Sequence, residues 1–165
     1  MTGDLTGAVE TVHTAFGRVD LVVNNAGVML ANPIADGRDD EWHRMIDTNL
    51  KGPFFVAQTA APLLRQSGGG NIINIASTAG SRGYAGGSAY SSSKFALSGL
   101  TECWRAELRK HDIRVMQVNP SEVLTEFFAR SGRPGQRPEN PTKLHAEDIA
   151  HTVAGMLEMP DRGFV

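Results

Sequence analysis

Apolar positions along this chain follow two rhythms. Short continuous runs, such as Leu21 to Val23 and Ile72 to Ile73, alternate with stretches where apolar residues return every three or four positions. The first rhythm predicts strands covered on both faces, the second amphipathic helices. Leu5, Val9, Val12 and Phe16 mark a first helix, with Asp4 as its N-cap and Gly17 as its stop. Asp20 to Asn24 then reads as a short buried strand. A loop with Asn32, Pro33 and Gly37 follows, and Asp39 is placed to cap a long helix carrying Trp42, Met45, Ile46, Asn49 and Leu50. That helix is expected to run towards Leu64, with a bend near Gly52-Pro53. The triple glycine Gly68 to Gly70 reads as a turn into a strand from Asn71 to Ala76. It precedes a strand and not a helix N-terminus, which argues against a phosphate cradle.

Beyond that strand, a glycine-rich loop (Gly80 to Gly87) leads into a helix from Ser88 to His111, whose stripe is Leu97, Leu100, Trp104 and Leu108. Arg114 to Val118 is a third strand, ended by Asn119-Pro120. The stretch from Arg130 to Pro141, rich in Pro, Gly and Arg, reads as a mobile loop. Asp148 to Glu158 is a last helix stopped by Pro160. Helices alternating with short apolar strands predict an α/β fold with a parallel sheet flanked by helices. The strands end in Asn24-Asn25, Ser77 and Pro120, so polar and turn residues gather at one sheet edge. Open α/β sheets place ligands at that carboxyl edge.

Length and charge narrow the picture further. At 165 residues the chain is read as a single domain spanning 1–165. A formal net charge of -2 favours neither nucleic acid nor an anionic membrane as partner. No apolar run approaches the length of a bilayer span. No basic segment followed by an apolar core opens the chain, and Cys103 stands alone, so a reducing, cytoplasmic setting is expected. Cys103 itself reads as a small buried hydrophobe on a helix. The five histidines match no common ligand spacing, and no metal site is expected.

The chemistry concentrates in Tyr90-Ser91-Ser92-Ser93-Lys94. On a helix, positions i and i+4 share one face about 5–6 Å apart at Cβ. A lysine ammonium roughly 4 Å from the phenol oxygen would favour the phenolate by about 4 kcal/mol at an effective dielectric near 20. That is close to three pKa units, against an opposing desolvation. A phenol so tuned exchanges protons near neutral pH. As an isolated pair, Tyr-x-x-x-Lys occurs by chance on many helices. A serine hydrolase on an α/β sheet would need a Gly-x-Ser-x-Gly turn, and the chain has none.

Taken together, Asn24-Asn25-Ala26-Gly27, Thr48-Asn49-Leu50, Ser77 thirteen residues before Tyr90, Tyr90 to Lys94, and the stretch Val118 to Glu126 resemble the short-chain dehydrogenase/reductase family in order and separation. The resemblance covers nearly the whole chain. It implies Tyr90 as general acid/base, and Lys94 as the group that depresses its pKa and holds the nicotinamide ribose. Ser77 would hydrogen-bond the substrate oxygen. Asn49 would bend its helix and hold a water on the proton path. Asn25, Ala26 and Gly27 would line the cofactor near its ribose, and Val123 and Thr125 would touch the carboxamide on a loop shaped by Pro120. The implied cofactor is NAD or NADP, the substrate an alcohol or ketone, and the complete protein a homo-oligomer joined through the helices carrying Asn49 and Tyr90. Phe127 and Phe128, with Tyr84 and Thr78, would border an apolar part of the substrate.

The chain departs from the family pattern at its start. A complete member opens with a strand and a glycine-rich turn that binds the pyrophosphate. Thr2 to Val9 imitates that turn, but no strand precedes it and Val9 replaces the last glycine. The fold expected is therefore a partial Rossmann-like sheet lacking the first βαβ half. Met1 is then expected to be an internal methionine, and a further strand is expected after Val165. The strand Leu21 to Val23 would stand as an exposed apolar edge, and the isolated chain would bind cofactor weakly. Ser121, where the family more often has glycine, would tolerate a positive φ poorly. A non-catalytic remnant acting by association is the alternative.

Overall fold

A computed structural model describes residues 2–127, 140 and 142–160, with side chains from residue 5 onward. Its elements run α1 (Thr2–Phe16), β1 (Leu21–Asn24), α2 (Asp39–Ile46), α3 (Gly52–Gln66), β2 (Gly70–Ile75), α4 (Ser88–Leu108), β3 (Ile113–Val118) and α5 (Ala146–Glu158). Among the described residues the sheet has three strands, all parallel, in the order β1-β2-β3. The α/β class and the partial Rossmann-like sheet are as expected.

Register explains how the sheet is buried. Val22, Ile72 and Val115 form one row across the strands. They point at Ala57, Ala60 and Leu64 of α3 and Trp104 of α4, the main core cluster. The next row, Val23, Ile73 and Met116, faces the opposite side. There α5 covers Ile73 and Met116 with Met156, Val153 and Leu157. Val23 lies outside that cover and is 41% exposed, while Ile73 is at 0%. β1 is thus the exposed apolar edge that its position as first strand implies, not a strand buried on both faces.

Several boundaries differ from the sequence reading. α1 begins at Thr2, so Asp4 lies inside the helix and does not cap it. Only part of its apolar face is used: Val9 packs on the core, whereas Val12 and Phe16 are exposed. Gly17 does end α1, at φ +75°, with its N–H on His13 O at 2.8 Å. Asp39 is the first residue of α2; Arg38 takes the cap position without a capping side-chain bond, its guanidinium pairing with Asp40 instead. The acids Asp39, Asp40 and Glu41 still favour that end through the helix dipole. The bend expected at Gly52-Pro53 falls just before it, as a wider π turn over Asp47–Lys51. α4 ends at Leu108 and tightens through Arg109–His111. Cys103 is exposed on α4, not buried. Most of the stretch from Arg130 to Pro141, together with Phe128 and the residues after Pro160, lies outside the described residues.

The glycine turn into β2 is set by close backbone approach. A Cβ on Gly69 would sit 2.6 Å from Asp112 O, and one on Gly70 would sit 2.6 Å from Asp20 O. Both distances are forbidden, and both glycines have positive φ. These glycines serve the amino edge of the sheet, away from the site.

Candidate active site

One row further along the strands, the sheet turns polar. Asn24, Asn74 and Gln117 lie side by side in register. Asn24 Nδ2 donates to Asn74 Oδ1 at 2.8 Å, and Asn74 Nδ2 donates to Thr101 Oγ1 on α4 at 2.8 Å. Gln117 Nε2 donates to Ser98 Oγ at 2.9 Å, which in turn donates to Lys94 O at 3.1 Å. Asn74 and Thr101 are buried, so each bond saves an otherwise unpaired polar group. The ladder fixes the height of α4 against the sheet, and with it Tyr90 and Lys94. Sequence reasoning missed it. Its signal was one amide residue interrupting each apolar strand at the same depth.

Immediately above this row the chemistry-bearing side chains converge. Ser77 follows β2 and opens a tight turn, its Oγ accepting Ala79 N–H at 3.1 Å. Thr78 N–H reaches Pro120 O at 3.0 Å, tying this turn to the end of β3. A Cβ on Gly80 would lie 2.9 Å from Lys94 O, so the turn packs tightly on α4. Tyr90 sits in the first turn of α4 and is buried, with the Ser77 side chain near enough to its phenol to pull the pKa down. Lys94 is buried beside it, and its ammonium donates to Ile75 O at 2.9 Å.

The direct phenol–ammonium pairing expected from the sequence is not the observed arrangement. Lys94 Nζ lies 5.9 Å from the Tyr90 ring centroid and is turned to a backbone carbonyl. Burial raises the Tyr90 phenol above its ordinary value, and the Ser77 hydrogen bond pulls it only partly back. Burial likewise brings the Lys94 ammonium down to about 8. Desolvation is therefore the largest cause at both groups, reversing the direction expected for Tyr90. The i, i+4 spacing places both groups on one face, but it does not set their burial or the bond of Nζ to Ile75 O.

Asn49 is placed differently again. It lies in the π turn between α2 and α3 and is fully buried. Its Oδ1 accepts Val28 N–H at 2.8 Å, and its Nδ2 donates to Val28 O at 2.8 Å and Ser93 Oγ at 3.1 Å. Where the sequence led to a bend, the backbone makes a π turn. The side chain, however, is spent on holding Val28 and Ser93, not on the cavity wall.

A single cavity of about 1680 Å³ gathers the other predicted residues: Asn25, Ala26, Gly27, Ser77, Tyr90, Lys94, Pro120, Val123 and Thr125 all line it. Thr78, Tyr84 and Phe127 line it too, and the Phe127 ring stands 6.1 Å from that of Tyr90. A Cβ on Gly27 would lie 3.8 Å from Lys94 Nζ, so the glycine keeps open the space beside the ammonium. The wall after β3 is stapled by Leu124 N–H to Leu144 O at 2.7 Å and by a Lys143–Glu122 ion pair at 2.6 Å. Ser121 is unstrained: among the described residues Asp112 alone, glycines apart, has positive φ. The negative charge of Glu122 on this wall is neutralised by Lys143.

Residues 2–134 match the family model for short chain dehydrogenase. The chain belongs to the short-chain dehydrogenase family. An uncharacterized oxidoreductase of Staphylococcus aureus (strain USA300) is 35% identical over 152 residues, covering 92% of this chain and 64% of the relative. An alcohol dehydrogenase of the archaeon Thermococcus sibiricus, solved with 5-hydroxy-NADP, superposes with a TM-score of 0.89 at 27% identity, over 100% of this chain and 68% of that one. An NAD+-bound xylitol dehydrogenase gives a TM-score of 0.83 at 26% identity, over 96% of this chain and 70% of that one. The chain thus spans about 64% of the length of the curated relative it matches. Among the described residues, no helix is long and apolar enough to cross a membrane, and no cluster of His, Cys, Asp or Glu has the makings of a metal site.

Proposed function

We propose that this chain carries the catalytic portion of an NAD(P)-dependent oxidoreductase, which moves hydride between a nicotinamide cofactor and an alcohol or ketone. The observation that carries the reading is the convergence of Ser77, Tyr90 and Lys94 on one cavity wall. The residues fit a cofactor. Lys94 is only 4% exposed, and its ammonium spends one of three N–H donors on Ile75 O. The remaining donors, beside the open space at Gly27, suit a pair of ribose hydroxyls. Asn25 and Ala26 supply one side of that space; Pro120, Val123 and Thr125 supply the other. Bound there, NAD or NADP would supply or accept the hydride.

The side chains account for the proton. With its pKa raised by burial, Tyr90 holds its proton at neutral pH and can give it to a carbonyl oxygen in the reducing direction. Ser77, on the same cavity wall as the phenol, orients that oxygen. Lys94, whose charge is buried and sparsely paired, stabilises the phenolate left behind. Asn49 acts as a positioning residue through Val28 and Ser93. The oxidising direction needs Tyr90 deprotonated first, so its rate should climb with pH.

A second reading, a chain that acts by association, is favoured by exposed apolar side chains on helices and sheet edge: Phe54 on α3, Phe95 on α4, and Leu21 and Val23 on β1. Phe54 and Phe95 lie on the helix pair through which a homo-oligomer of the complete protein would form.

One experiment separates the readings. Transfer of a label from deuterated NADH or NADPH to a methyl ketone is followed by NMR, with the cofactor at millimolar level, because affinity of about 4 kcal/mol or less is expected of this chain. The native chain should transfer label, and Tyr90→Phe should slow transfer by about 10²–10⁴-fold while cofactor binding persists. Undiminished transfer by Tyr90→Phe would remove Tyr90 from the chemistry. No transfer, together with a solution mass above that of one chain, would favour association.

A further inference from the structure

Two cationic side chains on the cavity wall have no role in the reading above. Six side chains with full charges line this cavity: Arg44, Arg82, Lys94, Glu122, Glu126 and Lys143. Lys143 and Glu122 neutralise each other, Glu126 has an interaction of its own, and Lys94 holds Ile75 O. Arg44 and Arg82 make no ion pair or side-chain hydrogen bond among the described residues. The chain as a whole is slightly acidic, so a wall left with two uncommitted guanidinium groups runs against its overall charge.

Both arginines line the one cavity, on elements that pack against the same stretch of chain. The α2 turn that carries Arg44 and the loop that carries Arg82 flank the segment from Val28 to Asn32. On one side, Leu30 N–H reaches the sulfur of Met45, the residue next to Arg44 on α2, at 3.4 Å. On the other, the Tyr84 hydroxyl reaches the sulfur of Met29 at 3.5 Å. Gly86, in the same loop as Arg82, packs within 3.7 Å of Asn32, measured from an added Cβ. That loop connects Ser77 to Tyr90, so Arg82 and the reacting end belong to one continuous wall. Between them the lining is apolar: Met29, Leu30, Tyr84 and Phe127. The Glu122–Lys143 pair marks the wall after β3 instead.

We infer that the substrate carries an anionic group, a carboxylate in the simplest case, which Arg44 and Arg82 hold while its carbonyl or hydroxyl sits at Ser77 and Tyr90. The position of the reacting oxygen rests on the function proposed above; the anion subsite rests on the arginines alone. Guanidinium forks match carboxylate geometry, and a pair of them selects for charge rather than shape. The substrate class is then a keto or hydroxy acid with an apolar middle. An uncharged ketone would leave the guanidinium groups solvated and gain nothing from them.

Equilibrium binding to the native chain tests this without requiring turnover. Straight-chain keto acids, levulinate the shortest, are compared by calorimetry at low salt with uncharged methyl ketones of equal length. At least one acid should bind about tenfold or more tightly than its ketone, and added salt should shrink that margin. The double variant Arg44→Gln/Arg82→Gln should bring the ratio to within about twofold, and Arg82→Glu alone should cut it further than Arg82→Gln. Both arginines are exposed, so the variants are expected to keep the native melting temperature. Equal binding of acid and ketone, binding of neither, or a preference that survives in the double variant would each overturn the subsite. So would a double variant that loses NADPH affinity in place of the acid preference, since the guanidinium groups would then serve the cofactor. Failure of label transfer with the acid preference intact would count against the proposed hydride chemistry and leave the anion subsite standing.

Discussion

β1 and β2 are neighbours with nearly the same apolar character, yet they live in different environments. Ile72 and Ile73 of β2 are both at 0% exposure, whereas Leu21 and Val23 of β1 are at 38% and 41%. Composition does not separate them. β2 has a strand on each side and helices over both faces, while β1 has β2 on one side and α3 over one face. A strand is buried by its neighbours, and its own sequence states only that it can tolerate burial. The functional consequence runs the same way. The β2–α4 end holds Ser77, Tyr90 and Lys94 in place through buried hydrogen bonds. The β1 end offers Asn25 to Gly27 as a wall with an open strand edge beside it.

The contrast can be broken most directly in the core. Ile73→Ala should cost about 2–5 kcal/mol in urea unfolding, because it leaves a cavity between β2 and α5. A cost under about 1 kcal/mol would mean that the α5 face is as loosely covered as the β1 edge. Next in size is a pH effect centred on Lys94. Its ammonium titrates at about 8 in the folded chain against an ordinary 10.5. Between those values the unfolded chain binds more protons, so stability should rise with pH across that window, by at most about 3 kcal/mol. Below the folded value the penalty is present in full and flat. Tyr90, raised by burial, has the opposite sign and acts only above its ordinary 10.0. Lys94→Met should flatten the rise; a wild-type chain with no rise between pH 8 and 10 would contradict the buried, sparsely paired ammonium.

Asn49→Ala comes third. It strands Val28 N–H and C=O, and should cost about 2 kcal/mol. It should also loosen the Gly27 wall, read as faster amide exchange at Val28 with little change in β3. Protection unchanged at Val28 would show that the three side-chain bonds do not hold that segment. The smallest effect belongs to the edge. Val23→Thr should shift stability by no more than about 0.5 kcal/mol while reducing self-association at high concentration, measured by sedimentation. A loss comparable to Ile73→Ala would mean that β1 is covered in solution by something the single chain does not contain.

The order of elements, the parallel sheet and the clustering of Asn25, Ser77, Tyr90 and Lys94 at its carboxyl edge were legible from sequence, because period and turn chemistry are local properties. So was the α4 stripe, since helical spacing alone puts Leu97 and Trp104 on one side. Some helix starts were misread for the reverse reason. Asp4 and Asp39 are good cap residues, but neither occupies a cap, because neighbouring backbone and dipole effects offer acids more than one favourable place in a first turn. Cys103 was misjudged because a small residue on a long helix takes its burial from whichever face packs.

What the sequence determined by itself is which residues can share a face, which runs can be strands, and that a tyrosine and a lysine stand one turn apart. Tertiary structure alone decided where the lysine points, which of three similar strands is dry on both sides, and which arginines are left without a partner among the described residues. The physical reason is range. Helical and strand periods are set by bonds a few residues apart. Desolvation, ion pairing and burial depend on atoms that the chain brings together from fifty residues away, as it does with Asn24 and Asn74.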